Sequence, residues 1–276
     1  MSKRKKTLFA SFIGELGWHI CWWGPILRYK AREYDRVVLA ADATREHLTA
    51  DFCDQFIPLS TDGGIAFAEG NLLAGCLLKV PTGKNVDIVE PKKLWGDFGY
   101  VEVGNITRPP GKNTPMAPRI WKQFGKPFED GFDVLYNFRG PKMVKGSWLP
   151  DKEYPLDLAD ELIHQLVADG LSVACIGGPD NHWVEGSINF SGIGMDELCN
   201  HMASAKVTIG PSSGPLHLAQ QCLCPVVTWF PTNPEASKYR YQKYWNPFDV
   251  HNTFLDNGRG YQPSPDEVSD AVYAYI

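Results

Sequence analysis

Three short stretches hold residue types that could do chemistry, and each stands where an apolar run breaks off. The first is Gly14-Glu15-Leu16-Gly17, directly after Leu8–Ile13. Glycines let a backbone approach a ligand closely. A carboxylate at such a turn can take the proton of a hydroxyl as general base; a Glu there also simply favours the positive end of a helix dipole. The second is Ile209-Gly210-Pro211-Ser212-Ser213-Gly214-Pro215-Leu216-His217. A strand, a Ser/Gly turn and a helix start make a phosphate cradle, because first-turn amides lack helical partners and hydroxyls add donors. His217 would face back from that first turn. The alternative is an N-cap serine followed by a histidine turned into the core. The third is Gly177-Gly178-Pro179-Asp180, which would abut the same crevice.

Other chemistries find little to use. The G-x-x-G run is not G-x-G-x-x-G, and no G-x-x-x-x-G-K-[ST] occurs, which sets dinucleotide and ATP binding aside. Ser213 and His217 lie four residues apart on one segment, a spacing that gives Ser-His-Asp hydrolysis no support. Seven Cys are scattered without C-x-x-C. That usage fits reduced thiols in a cytoplasm, and no metal site is expected.

Of 276 residues, 43% are hydrophobic and 21% charged, which excludes wholesale disorder. No apolar run approaches the roughly 18 residues of a membrane span. The start Met1-Ser2-Lys3-Arg4-Lys5-Lys6 resembles the basic front of a signal peptide. The apolar stretch after it is broken at Gly14-Glu15 with no small-residue cleavage site, so it reads as a basic tip leading into a first strand. The net charge of -5 is unevenly spread. Residues 108–152 hold nine basic and four acidic side chains, whereas 153–276 hold five and fifteen. The basic middle is either a local anion site or a solvated lysine-rich linker. Nine Trp exceed the needs of one core. Trp22, Trp23, Trp95, Trp121 and Trp148 are candidates to stack on sugars or bases, with no more than two expected in a site.

The elements that must position these residues are α/β. Leu8–Ile13 reads as a strand, Trp18–Tyr29 as a helix bent at Gly24-Pro25, Val37–Ala40 as a buried strand, and Thr44 as the cap of a helix through Phe52. Val86–Glu90 and Val101–Val103 are candidate strands. Residues 104–131, with five Pro and four Gly, form a candidate linker or mobile loop. A second alternating series follows. Val134–Phe138, Leu171–Ile176, Val207–Ile209 and Pro225–Phe230 are its strands; Leu156–Ala168, Met195–Ala203, Leu216–Gln221 and Pro265–Tyr275 are its helices. Two α/β halves result. In open parallel sheets, ligands bind beyond the carboxyl ends of the strands, which is where all three chemical stretches fall.

From Tyr154 to Pro234 the chain resembles the C-terminal half of glycosyltransferase family 9, the heptosyltransferases of lipopolysaccharide synthesis. The resemblance rests on Gly177-Gly178-Pro179, on Ser191-Gly192 with Met195-Asp196-Glu197-Leu198, and on Ser212-Ser213-Gly214-Pro215-Leu216-His217-Leu218-Ala219. It continues through Pro225-Val226-Val227-Thr228-Trp229-Phe230-Pro231-Thr232-Asn233-Pro234. Ile13-Gly14-Glu15 is similar to the family's x-G-[DE] after the first strand, and Trp148 with Pro150 to its K-x-W-P. Two departures stand out. Ser212 occupies the family's acidic position, and the K of K-x-W-P falls on Gly146.

The resemblance implies a GT-B-like architecture, two Rossmann-like domains facing a central cleft: an acceptor-side domain over 1–130, a nucleotide-sugar domain over 131–264 and a closing helix over 265–276. It further implies an inverting, metal-independent glycosyltransferase with no cofactor and a nucleotide-diphosphate sugar as co-substrate. Glu15 would be the base, with Gly14, Gly17 and Trp18 on the acceptor side. Ser213, Gly214 and the nearby amides would hold the diphosphate, with Ser212 beside them among the donor-binding residues and His217 supporting the loop. Met195 and the turn Gly178, Pro179, Asp180 would border the nucleoside. Arg139, Lys142 or Lys145 would neutralise the leaving group. A saccharide acceptor follows the family. A hydroxymethylated base of phage-type DNA is the alternative, suggested by Trp121, Phe124 and Phe128 interleaved with Arg119, Lys122 and Lys126. A non-catalytic nucleotide- or sugar-binding module, or a nucleotide-sugar epimerase, would share the scaffold.

Overall fold

The computed structural model describes residues 6–12, 16–59, 86–89, 118–139, 143–144, 147–148, 153–230, 234–258 and 260–276. It comprises two compact units, Met1–Lys122 and Gln123–Ile276.

The first unit is built on a parallel sheet of β1 (Thr7–Phe12), β2 (Arg36–Asp42), β3 (Gln55–Leu59) and β4 (Val86–Val89), in the order β3-β2-β1-β4. β1 and β2 are continuous apolar runs because parallel strands are covered on both faces. Pairing sets Phe12 beside Ala41. The sequence reading missed β3 because it contains Pro58. An edge strand tolerates proline, since one side of its ladder is unused.

Between β1 and β2 the chain is helical from Leu16 to Ala31. A short α1 (Leu16–Trp18) runs into a π-turn at His19–Trp23 and then α2 (Gly24–Ala31). The amide of Gly24 donates to the carbonyl of His19. The widened turn takes up the break expected at Gly24-Pro25. Pro25 follows directly in the first turn of α2, so the widened turn stands where the helix meets a residue with no N–H to donate.

After β2, the helix expected from Thr44 through Phe52 is instead a 3₁₀ segment, Ala43–Leu48. Its cap is Asp42, whose carboxylate accepts from the Thr44 amide at 3.0 Å and from the Thr44 hydroxyl at 2.5 Å. Such local side-chain bonds draw the backbone into a tight turn in place of an α-helix.

Arg28 is buried under this segment. It donates to both carboxylate oxygens of Asp51, at 2.6 and 3.1 Å, and to the carbonyls of Leu48 and Ile120. Burial pushes the Asp51 pKa up, but the hydrogen bond and charge of Arg28, with Lys122 at 3.3 Å, outweigh it and hold the carboxyl below its ordinary range. Arg119 lies over the Trp22 ring at 3.9 Å. Residues 118–122 of the expected linker are therefore packed chain, and Lys122 is an ion-pair partner instead of a solvated charge. Residues 104–117, like the candidate strand Val101–Val103, lie outside the described residues.

The second unit holds a six-stranded, all-parallel sheet of β5 (Val134–Tyr136), β8 (Val173–Gly177), β9 (Ile188–Ser191), β10 (Val207–Pro211), β11 (Val226–Trp229) and β12 (Asn252–Leu255). The order is β12-β11-β10-β5-β8-β9. A separate antiparallel pair joins β6 (Met143–Val144) to β7 (Ser147–Trp148). Counted along this unit, the sheet order is 3-2-1-4-5-6 read from the β9 edge, the Rossmann arrangement.

The helices are α3 (Leu156–Ala168), α4 (Met195–Ser204), α5 (Gly214–Gln221), α6 (Pro234–Arg240), continued by a π-turn at Tyr241–Trp245, and α7 (Pro265–Tyr273). α3 shows the expected apolar spacing and buries Ala159, Leu162, Ile163 and Leu166. α7 starts on a capping box of Ser264 and Glu267. Phe138, Tyr154 and Trp229 pack together inside, with ring centroids 5.2 and 4.9 Å apart along the chain of contacts. Among the described residues no helix is long and apolar enough to cross a membrane.

Candidate functional site

In the second unit β5 and β10 are neighbours, yet the chain leaves β5 toward β8 and leaves β10 toward β11. Such a switch in strand order opens a crevice at the carboxyl ends, where ligands of this architecture bind. The residues at those ends are Asn137, Phe138 and Arg139 after β5, and Ser212, Ser213 and Gly214 after β10.

Asn137 ties the strand ends together. Its amide donates to the carbonyl of Ile209 at 3.0 Å, its side-chain Nδ2 to the carbonyl of Ile176 at 2.9 Å, and its Oδ1 accepts from the Ser213 hydroxyl at 2.8 Å. The approach is close enough that only glycine fits beside it. Gly210 has φ +148°, and a Cβ there would stand 2.6 Å from the Asn137 carbonyl oxygen.

Ser213 is the N-cap of α5 in extended conformation, but its side chain makes no cap bond. Among the described residues the first-turn amides of Gly214 and Leu216 are thus left without a side-chain acceptor, the situation that favours an anion at a helix start. Ser212 is half-buried and its Oγ accepts from the Tyr241 hydroxyl at 3.2 Å.

The turn after β8 joins the same edge. Asn181 Nδ2 donates to the Ile176 carbonyl that Asn137 also uses, and Arg139 pairs with Asn181 in an isolated antiparallel bridge. Gly178, Pro179 and Asp180 are exposed, and Met195, half-buried, opens α4. The Gly192 amide donates to the Gly177 carbonyl at 2.8 Å, holding the loop before Met195 beside that turn. His217 is buried against Tyr241 and Trp245, with centroids 4.8 and 4.6 Å away. Lys142 and Lys145 lie outside the described residues. Asn137, Asn181 and Tyr241 were missed from the sequence. The one legible signal was Asn137 itself, a polar residue closing the apolar strand Val134-Leu135-Tyr136.

In the first unit, Gly14 and Glu15 lie outside the described residues. Gly17 and Trp18 lie in α1, and Trp18 stacks on Trp22 at 6.1 Å. Behind them His19 is 1% exposed, wedged between Phe12 and Trp23, and neither ring nitrogen has a hydrogen-bond partner among the described residues. Burial holds its pKa well below the ordinary value, and the charges of Arg45 and Arg28 add to this. The folded chain therefore refuses a proton that the unfolded chain accepts. As pH falls below about 6.5, His19 removes up to about 1.4 kcal/mol of stability per pH unit. Urea unfolding at several pH values should show a shallower loss of stability on acidification for His19→Phe than for the native chain; parallel curves would contradict this.

No protein-family model matches the chain, and no curated protein matches it. Solved structures do. The glycosyl transferase family 9 protein from Veillonella parvula DSM 2008 aligns over 100% of this chain and 98% of its own, at 16% identity and a TM-score of 0.59. The ADP-heptose lps heptosyltransferase II of E. coli aligns over 98% of both chains, at 16% identity and a TM-score of 0.63. The fold is that of glycosyltransferase family 9. The iron-containing dodecameric glycosyltransferase TibC from enterotoxigenic E. coli H10407 shares it, at 15% identity and a TM-score of 0.53, over 93% of this chain and 64% of its own. TibC has also been solved in complex with ADP-D-beta-D-heptose. The family resemblance carried by Gly177–Pro179 and by Ser212–Ala219 thus holds as a likeness of fold, and the mixed α/β class with parallel sheets is that of GT-B-like glycosyltransferases.

Proposed function

We propose that the protein is an inverting glycosyltransferase that moves a sugar from a nucleoside-diphosphate sugar to a hydroxyl of a saccharide acceptor. The observation that carries this reading is the Rossmann switch point, where Ser212, Ser213 and the uncapped first-turn amides of α5 stand at one crevice. Two proteins of the same fold, heptosyltransferase II and TibC, are described as acting on or binding ADP-heptose.

In this reading Glu15 takes the acceptor proton as the oxygen attacks the anomeric carbon. The bond to the diphosphate breaks, and the leaving charge is met by the amides of Gly214 and Leu216 with Arg139, Lys142 or Lys145. The displacement needs no metal. Because one relative contains iron, chelation is the direct check: turnover with EDTA present equals turnover without it.

A saccharide is favoured over DNA by the packing of the basic-aromatic stretch. Arg119 covers Trp22, Lys122 pairs with Asp51 and Phe124 is buried, so three of its six members are engaged within the fold.

A thermal-shift screen of nucleoside diphosphates and their sugars tests the donor site. A ligand at about 100 times its Kd stabilises the native state by about 2.7 kcal/mol. One nucleoside diphosphate, with its sugar conjugates, is expected to raise the melting temperature by several degrees. No shift with any of them would remove the donor site and the activity with it.

A further inference from the structure

Resting on the donor-site reading above, we propose that Asn137 sorts the two serines of the phosphate loop. Ser213 is a positioning residue whose proton is committed to Asn137, and Ser212, backed by Tyr241, is the hydroxyl that donates to a phosphate oxygen of the donor.

A serine hydroxyl carries one proton and two lone pairs. The proton of Ser213 goes to Asn137 Oδ1 at 2.8 Å, with Ser213 5% and Asn137 2% exposed. The amide of Asn137 cannot turn over to release it, because Nδ2 is held by the Ile176 carbonyl at 2.9 Å and a flip would set two oxygens face to face. Ser213 can therefore offer an anion only lone pairs, which repel it.

Ser212 is the reverse case. Its oxygen accepts from Tyr241 at 3.2 Å, and among the described residues no acceptor takes its own proton. Its amide is bonded to the Trp229 carbonyl at 3.2 Å, which fixes the backbone from which that hydroxyl projects. Tyr241 is itself held in place by the rings of His217, Trp245 and Phe230. A donated bond to Ser212 polarises its O–H and strengthens it toward an anion.

The experiment is calorimetric titration of the full chain with ADP, GDP and UDP, then with the monophosphate and nucleoside of whichever binds. Ser212→Ala is expected to weaken the diphosphate about tenfold or more, the range of one hydrogen bond to a charged group, while nucleoside affinity stays put. Ser212→Thr, which keeps the hydroxyl, restores binding. Tyr241→Phe weakens the diphosphate less, and Ser212→Ala with Tyr241→Phe is no weaker than Ser212→Ala alone. Ser213→Ala lowers the melting temperature but keeps the ratio of diphosphate to nucleoside affinity. Should Ser213→Ala fail to fold, Ser213→Thr serves, with the same ratio expected. The proposal is overturned if Ser212→Ala binds the diphosphate as the native chain does, or if Ser213→Ala loses the ratio as Ser212→Ala is expected to. If the native chain binds no nucleoside diphosphate, the donor-site reading falls first and takes the proposal with it, an outcome distinct from both.

Discussion

Glu15→Gln lowers turnover by about 10²- to 10⁴-fold, the usual contribution of a positioned general base, while donor affinity stays within about twofold. Glutamine keeps the size and one hydrogen-bonding oxygen but has no basicity, so the substitution separates proton removal from packing. An acceptor hydroxyl is a poor nucleophile while protonated, and no second acidic residue stands in the run from Leu8 to Tyr34 except Glu33, far along the helical segment. The loss should fall in kcat, because the proton moves only in the transition state. Unchanged turnover in Glu15→Gln would dismiss Glu15 as base. Slow release of nucleoside diphosphate by the native enzyme without acceptor separates an enzyme from a binding module, which releases none.

The second unit was more legible in the sequence than the first, for a physical reason. Four of its six sheet strands, β5, β8, β10 and β11, lie on short apolar runs, and its helices carry clear apolar spacing, so Leu156–Ala168 is read to the residue. What escaped were segments whose signal comes from tertiary context. β12 (Asn252–Leu255) is half polar and lies at the sheet edge, where one face need not be apolar. The π-turn Tyr241–Trp245 has no local mark at all, yet it places Tyr241 on Ser212. In the first unit, Asp42 overrode the helical preference of Thr44–Phe52 through two hydrogen bonds that no periodicity reports. At the site, glycines and serines were legible by type. Their division of labour was not, because the partner that decides it, Asn137, is 76 residues from Ser213 in sequence.

Gly210→Ala tests whether that junction is as tight as its geometry states. Gly210 adopts φ +148°, a backbone region that side-chain-bearing residues rarely enter, and the added Cβ would stand 2.6 Å from the Asn137 oxygen and 3.3 Å from its carbonyl carbon. The neighbour is backbone, so no rotamer change relieves it. Nor can Asn137 retreat, being held by its amide on Ile209 and by its side chain on Ile176 and Ser213. Strain of this kind with a backbone clash costs about 2–5 kcal/mol. For a unit of this size that lowers the melting temperature by about 5–15 °C. Relief by moving β5 away from β10 would displace the backbone that carries Ser212 and the first-turn amides of α5, so nucleoside-diphosphate affinity should fall together with stability. Gly194→Ala is the control: a Cβ there meets nothing within 4 Å. It should cost about 1 kcal/mol as an N-cap change and leave nucleotide affinity alone. If Gly210→Ala melts with the native protein, the two strand ends are not in contact through Asn137, and the assignment of Ser213 as a positioning residue loses its footing.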